Sequence, residues 1–462
     1  MSDSTTSVTD PRRSIVDRSG VPPADQRREF IFPHFEKFRL ENGLQVYLAP
    51  VGEVPLVSME LLTPAGAQHD SRPGIARLTA EMLDEGTERH SAMELAERVE
   101  DLGGDLSTSS GWNMSSVGVD LLSTHMDAGL ELVAETALTP TFPDQEVERL
   151  RDEALADLLR RRDQPTALAS DVFCRAVYGD SPYGTPILGT SESVERLTRD
   201  ELQEFYRRLY VPAGSALIVA GSFDPHRVRE RIEILFGNWQ APGSPGIEPE
   251  DPEIVPRKLD GFEIYLVDRP RASQSVLQMG CVGPPRGQDD YTHLILGNAI
   301  FGGKFSSRIN LNLRERHGYT YGANSHLQRR RGPGPFFVRT SVATEHLGAS
   351  AREVFAELDR IRAEPPTDEE LRDTKDYVLG VFPTLVQKVS SLMLRLEALA
   401  VHRLDDDYYD GYVDRVEQVS AEDVRRAFER YVDPANFVVV AVGPAAELRP
   451  QLEQLGEVRD VT

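Results

Sequence analysis

The chain is built twice. Residues 197–220, LTRDELQEFYRRLYVPAGSALIVA, return as residues 419–442, VSAEDVRRAFERYVDPANFVVVAV, at an offset of 222. Each copy runs from an acidic helix start through an amphipathic stretch with a Tyr to Pro-Ala and an apolar strand. A second pair supports the first: GFEIYLV at 261–267 echoes GLQVYLA at 43–49, with Tyr265 and Tyr47 218 residues apart. A period this long encloses whole sets of strands and helices, so each copy is a lobe of roughly 200 residues rather than one unit of a solenoid. Between the copies, residues 241–257 (APGSPGIEPEDPEIVPR) carry five prolines, a density that no regular element survives. The expected organisation is a mobile polar arm at 1–34, a first lobe at 35–240, a linker at 241–257 and a second lobe at 258–462.

Within the first lobe, Asn42-Gly43 between residues 36–40 and 44–49 signals a β-hairpin. Residues 54–62, 105–110, 114–122 and 216–220 read as further strands. Residues 90–102, 125–138, 144–162, 171–178 and 198–209 read as helices, the first stopped by Gly103-Gly104. Residues 183–189 read as a loop. The strands and helices alternate irregularly, and a doubly wound parallel sheet would not need the hairpin. The fold class is α+β, with two homologous lobes, each a mixed, mainly antiparallel sheet with packed helices.

Composition removes several functions. A net charge of −24 argues against nucleic acid or an anionic membrane as partner. Only five of the 51 basic residues are Lys, at 37, 258, 304, 375 and 388. Cys174 and Cys281 are too few for a disulfide framework and sit among apolar residues, as buried free thiols do. The N-terminal MSDSTTSVTDPRRS lacks the apolar run of a secretory signal, and no stretch approaches the ~18 apolar residues of a membrane span. A cytoplasmic location is expected.

The segment PGIARLTAEMLDEGT at 73–87 reads as a helix ending in an acidic turn. Helical spacing puts Arg77, Ala80 and Glu81 side by side. This segment resembles the zinc helix of the pitrilysin/insulinase peptidases and processing peptidases, G-x-A-H-x-x-E-H-M with a later G-T. Gly74, Ala76, Met82, Gly86 and Thr87 keep that frame. The resemblance extends over about 35–445 through LENGLQVYL at 40–48, LGGDLSTSS at 102–110, PTFPDQEVER at 140–149, YGTPILGT at 183–190 and LRERHGYTYGA at 313–323.

What the resemblance implies is a site without its chemistry. Arg77 stands where the first ligand His would be, Ala80 where the Glu base would be, and Glu81 where the second His would be. Asp157 takes the place of the distal Glu ligand, and Leu150 that of a supporting Glu. The ten histidines lie at 34, 69, 90, 125, 226, 293, 317, 326, 346 and 402, and no two are three or four apart. No helical His pair can form, and this chain is expected to hold no metal or other cofactor. The chemical expectation is that the Arg77 guanidinium replaces a metal ion's charge between Glu81 and Asp157.

The second lobe retains Arg314 and Tyr321 in the family's R-E-x-x-G-x-x-Y pattern, where the pair faces bound peptide. Taken without the family, the same residues read as a surface Arg and a core Tyr. The Gly/Ser loop FGGKFSSR at 301–308 reads by itself as a helix-linking turn. Some bacterial members divide the work between two chains, and this sequence resembles the metal-free one. That implies a paralogous partner bearing HxxEH and zinc, a peptide substrate, and no peptidase activity of the chain alone. In isolation the chain could pair with itself. A non-catalytic scaffold subunit of a larger complex is the alternative reading.

Overall fold

The computed structural model describes residues 30–52, 54–240 and 247–461. The arm expected at 1–34 lies largely outside the described residues. Its last part belongs to the fold: Phe32 is buried, its ring 4.9 Å from that of Tyr409.

Two six-stranded sheets form. The first comprises β1 (Glu36–Arg39), β2 (Gln45–Pro50), β3 (Leu56–Thr63), β4 (Asp105–Ser110), β5 (Ser115–Leu122) and β6 (Ala216–Gly221), in the order β1-β2-β6-β3-β5-β4. The second comprises β7 (Glu263–Asp268), β8 (Ser275–Val282), β9 (Ala323–Leu327), β10 (Pro335–Val342), β11 (Val438–Gly443) and β12 (Val458–Val461), in the order β12-β7-β11-β8-β10-β9. Only β2–β6, β7–β11 and β7–β12 pair in parallel; every other neighbour is antiparallel. The architecture is two-lobed α+β.

The orders coincide except at one edge. In the first sheet that edge is the hairpin strand β1. Gly43 takes φ 98°, a left-handed value that favours glycine, and the Asn42 amide donates to Phe236 O at 2.7 Å and Trp239 O at 3.0 Å. In the second sheet the same edge is filled by β12, which lies parallel to β7. VRDV at 458–461 is only four residues long and half polar, too short for alternation to mark it as a strand.

Local chemistry explains why the repeated helices start where they do. Thr198 and Ser420 each accept from the backbone three residues on, while Glu201 and Asp423 reach back to the cap. Both are capping boxes. The strands that follow, β6 and β11, are buried along their whole length. That explains their unbroken apolar runs: a strand covered on both faces has no polar side to alternate with.

The two covers come from different halves. Helix Met126–Leu138 packs on the first sheet and helix Leu347–Ala363 on the second, each within its own lobe. The opposite faces are closed by exchange. Helix Pro165–Tyr178 of the first half packs on β8 and β11, and helix Val389–His402 of the second half packs on β3 and β6. Ala169, Phe173, Ala176 and Val177 join Val438, Val440, Val442 and Phe337 in one apolar cluster. Burying a side chain of Phe173's size stabilises by about 1.5–3 kcal/mol.

The end of the Pro-rich segment helps to tie the halves together. Asp251 accepts from Gln68 Nε2 at 2.6 Å and from Arg331 Nη1 at 2.9 Å, with Arg403 at 3.3 Å. Burial opposes its charge, but the nearby His69, the bonds from Arg331 and the charge of Arg403 hold its carboxyl well below the usual Asp range. The segment is therefore more than the spacer its prolines suggested.

This exchange predicts that neither half folds alone. Residues 30–240 expressed as a fragment should expose the Phe173 face and one sheet face, bind a hydrophobic dye and melt without cooperativity. Co-expression with residues 247–462 should restore a cooperative melt. A soluble first-half fragment with a sharp transition would contradict the exchange as a requirement for folding.

Candidate functional site

The segment that resembles a zinc helix forms Ile75–Glu81, preceded by Gly74 at φ 97°. Asp70 anchors its start, its carboxylate accepting from Gly74 N at 2.9 Å and Ala76 N at 3.1 Å. Burial pushes the Asp70 carboxyl up to about 8 despite those two bonds. Ile75, Ala76, Leu78, Thr79 and Ala80 turn inward. Ala80 is fully buried and offers a methyl group where an acid–base residue would be needed.

Arg77 lies between two acids on different helices. Its Nε donates to Glu81 Oε1 at 2.7 Å, one turn along the same helix, and its Nη2 donates to Asp157 Oδ2 at 2.9 Å on helix Asp144–Arg162. The Arg77 side chain is 17% exposed, and its Nη1 is buried without a partner. Arg160 also binds Asp157. The two carboxyls respond in opposite directions. Burial pushes Glu81 up against the pull of Arg77, whereas the hydrogen bond from Arg77, joined by the charge of Arg160, holds Asp157 below the ordinary Asp value. Glu81 sits deeper in the fold, although the two side chains expose similar fractions of their surface, 30% and 36%.

This donor set does not fit a zinc ion. Zinc needs at least three good protein ligands, neutral or anionic. Here the two carboxylates already engage a fixed cation, and that cation, Arg77, itself stands at the third ligand's place. Among the described residues no three His, Cys, Asp or Glu side chains converge as a ligand group.

Arg314 and Tyr321 lie in the second lobe. Arg314 is in a π-helical turn, Leu311–Arg316, which closes through Gly318 N to Arg314 O at 3.1 Å and Tyr319 N to Leu313 O at 2.9 Å. Its guanidinium carbon stands 4.5 Å from the centroid of the Phe305 ring, and Glu315, its sequence neighbour, is its carboxylate contact at 3.4 Å. Tyr321 is 90% exposed, so it is no core residue. The residues on either side of it are nonetheless tied down: Thr320 Oγ1 accepts from Gly322 N at 3.1 Å and has its single proton within reach of Ser341 O at 2.8 Å and Gly322 O at 2.9 Å. Among the described residues no hydrogen bond or ion pair joins Arg314 or Tyr321 to the Arg77 triad.

Phe305 and Asn310 stand out beside the Arg/Tyr pair, and the sequence alone gave neither a role. Phe305 belongs to a Gly/Ser loop that reads as a connector. Asn310 is a polar residue between Ile309 and Leu311, and only the path of the chain shows what it binds.

A duplicated two-lobed fold with a helix–helix acid pair in one lobe and an Arg/Tyr turn in the other defines a peptidase-like class. The sequence matches "Insulinase (Peptidase family M16)" over residues 53–191 and "Peptidase M16 inactive domain" over residues 196–378. The chain belongs to the M16 peptidase family. It is 25% identical over 419 residues to an uncharacterized zinc protease of Mycobacterium tuberculosis strain H37Rv, covering 90% of this chain and 94% of the relative. Two solved structures share the fold. A Pseudomonas fluorescens structure described as a peptidase M16 inactive domain superposes with a TM-score of 0.82 at 24% identity, covering 89% of this chain and 98% of that one. A Helicobacter pylori protease superposes with a TM-score of 0.83 at 19% identity, covering 90% and 100%.

The triad makes a stability prediction with a defined pH dependence. Asp157's lowered value means its stabilising contribution is present above the ordinary Asp value and is lost as pH falls through the folded one. Glu81 runs the other way: its raised value favours the fold at low pH, and that contribution is lost as pH rises. Arg77→Met is therefore expected to cost about 1–2 kcal/mol at pH 7, with the deficit shrinking below about pH 4 as Asp157 takes up its proton. Denaturant melts across pH would show this. A deficit independent of pH would contradict the charge role of Arg77.

Proposed function

We propose that this chain is the metal-free, substrate-binding subunit of a two-chain M16 peptidase. The observation that carries the reading is the pairing of Arg77 with Glu81 and Asp157 in one lobe, while Tyr321 in the other is rigidly mounted and open to solvent. The zinc would belong to a paralogous partner bearing HxxEH, and the substrate would be a peptide enclosed between the two chains. In this chain, Arg314 would donate to peptide carbonyls. Tyr321 would donate its hydroxyl to the oxygen that gains charge as the peptide bond is attacked. Alone, the chain is expected to cleave nothing.

A scaffold subunit would share the loss of metal ligands, but it has no use for an exposed Tyr on a turn pinned through the Thr320 hydroxyl. The test is steady-state cleavage by this chain reconstituted with its HxxEH-bearing paralogue. Tyr321→Phe removes one exposed hydroxyl, so folding and pairing should persist. If Tyr321 stabilises the oxyanion, turnover should fall by about 10²–10³. If it only positions peptide, KM should rise with turnover nearly unchanged. Arg314→Ala should weaken peptide binding in either case. Wild-type kinetics in both variants would leave the scaffold reading in place.

A further inference from the structure

The loop FGGKFSSR is mounted more firmly than a connector requires. Lys304 Nζ donates to Thr374 Oγ1 at 2.8 Å, and Ser307 N donates to Lys304 O at 3.1 Å. Arg308 makes two bonds to Glu370, at 2.7 and 2.8 Å. Between these anchors the Phe305 ring is 71% exposed. An exposed aromatic on a fixed backbone pays little ordering entropy when it meets a ligand, which is why such side chains recur as recognition anchors.

Asn310 joins this loop to the Tyr321 turn. The side chain is buried, its Nδ2 donates to Phe305 O at 2.6 Å, and its Oδ1 accepts from Ala323 N at 3.1 Å. One amide group thus holds the Phe305 carbonyl at one end and the backbone two residues beyond Tyr321 at the other. Arg314 completes the arrangement with its guanidinium carbon 4.5 Å from the Phe305 ring centroid. The ring adjoins the one group whose proposed task is to grip peptide backbone. A guanidinium resting on an aromatic ring keeps its N–H edges free to donate.

We propose that Phe305 is a third substrate-contacting residue, whose exposed ring selects peptides carrying an aromatic or large aliphatic side chain beside the backbone held by Arg314. This rests on the substrate-binding reading above and adds a preference to it. Polar or small side chains at the same place would leave the ring in water and gain nothing from it.

Three fluorescein-labelled Gly-Ser peptides of one length, with a central Phe, Leu or Ser, test the assignment by fluorescence anisotropy on the full chain. The wild type should bind the Phe and Leu peptides at least about tenfold more tightly than the Ser peptide, the discrimination usual for an apolar contact. Phe305→Ser should abolish that ratio, bringing the Phe and Leu peptides to the affinity of the Ser peptide. Phe305→Tyr should keep the ratio, which separates loss of the ring from damage to the loop. Arg314→Ala should weaken all three peptides alike. Equal binding of the three peptides by the wild type, or an unchanged ratio in Phe305→Ser, would overturn the role of Phe305 and leave the substrate-binding reading intact. Failure of the wild type to bind any of the three, both alone and with its paralogue stripped of metal, would overturn both.

Discussion

Each sheet buries its central strands on both faces, and each half of the chain supplies only one cover for its own. The second cover comes from the other half, as Pro165–Tyr178 on β8 and β11 and as Val389–His402 on β3 and β6. Exposed sheet faces of this kind would otherwise drive association. The exchange makes the two lobes one folding unit, and it explains why their central strands are buried from end to end. It also fixes the site indirectly. Helix Asp144–Arg162, which carries Asp157, leads within a few residues into the exchanged helix Pro165–Tyr178. The position of Asp157 relative to Arg77 is therefore set by packing of the whole molecule rather than by the site helix alone.

Within that frame the Arg77 triad is a compact electrostatic solution. Two carboxylates left facing each other would repel, and one would be driven to protonate. A guanidinium between them donates separately to each, and its always-charged state makes the arrangement independent of metal supply. What the lobe loses is any reactive group: a buried methyl at position 80 and two carboxylates occupied by arginine leave no base and no open coordination position. The other lobe shows the opposite economy. Its turns are held by Thr320, Asn310 and Arg308, while the rings of Tyr321 and Phe305 stay in solvent. One lobe holds its polar groups in internal pairs, and the other leaves two aromatic rings in solvent.

Much of the fold was legible because the chain repeats itself. A duplicated acidic helix start, Tyr, Pro-Ala and apolar run placed β6 and β11, and the capping boxes at Thr198 and Ser420 explain why that signal is strong. Helix Asp144–Arg162 was read with its observed ends, since its charges and the flanking Pro143 and Pro165 bound it. The next helix was read too short, from 171 rather than Pro165, because a proline that looks like a breaker serves here as a first-turn residue. β12 carries too little pattern to mark a strand, its four residues being two valines around Arg459-Asp460. At the site, the juxtaposition of Arg77 with Glu81 followed from helical spacing, whereas Asp157 required the resemblance to a known family. Asp251, Phe305 and Asn310 stayed hidden for one reason: their partners lie far away in sequence or are backbone groups, and no local pattern announces either.

Whether the Arg77 guanidinium stands in for a metal ion is directly measurable. Metal analysis of the purified chain after dialysis against zinc tests it directly, with Arg77→His/Ala80→Glu/Glu81→His, which rebuilds the HxxEH pattern beside Asp157, as the comparison. The account predicts no stoichiometric zinc in the wild type and zinc retained by the rebuilt variant. One tightly held zinc per wild-type chain would contradict it.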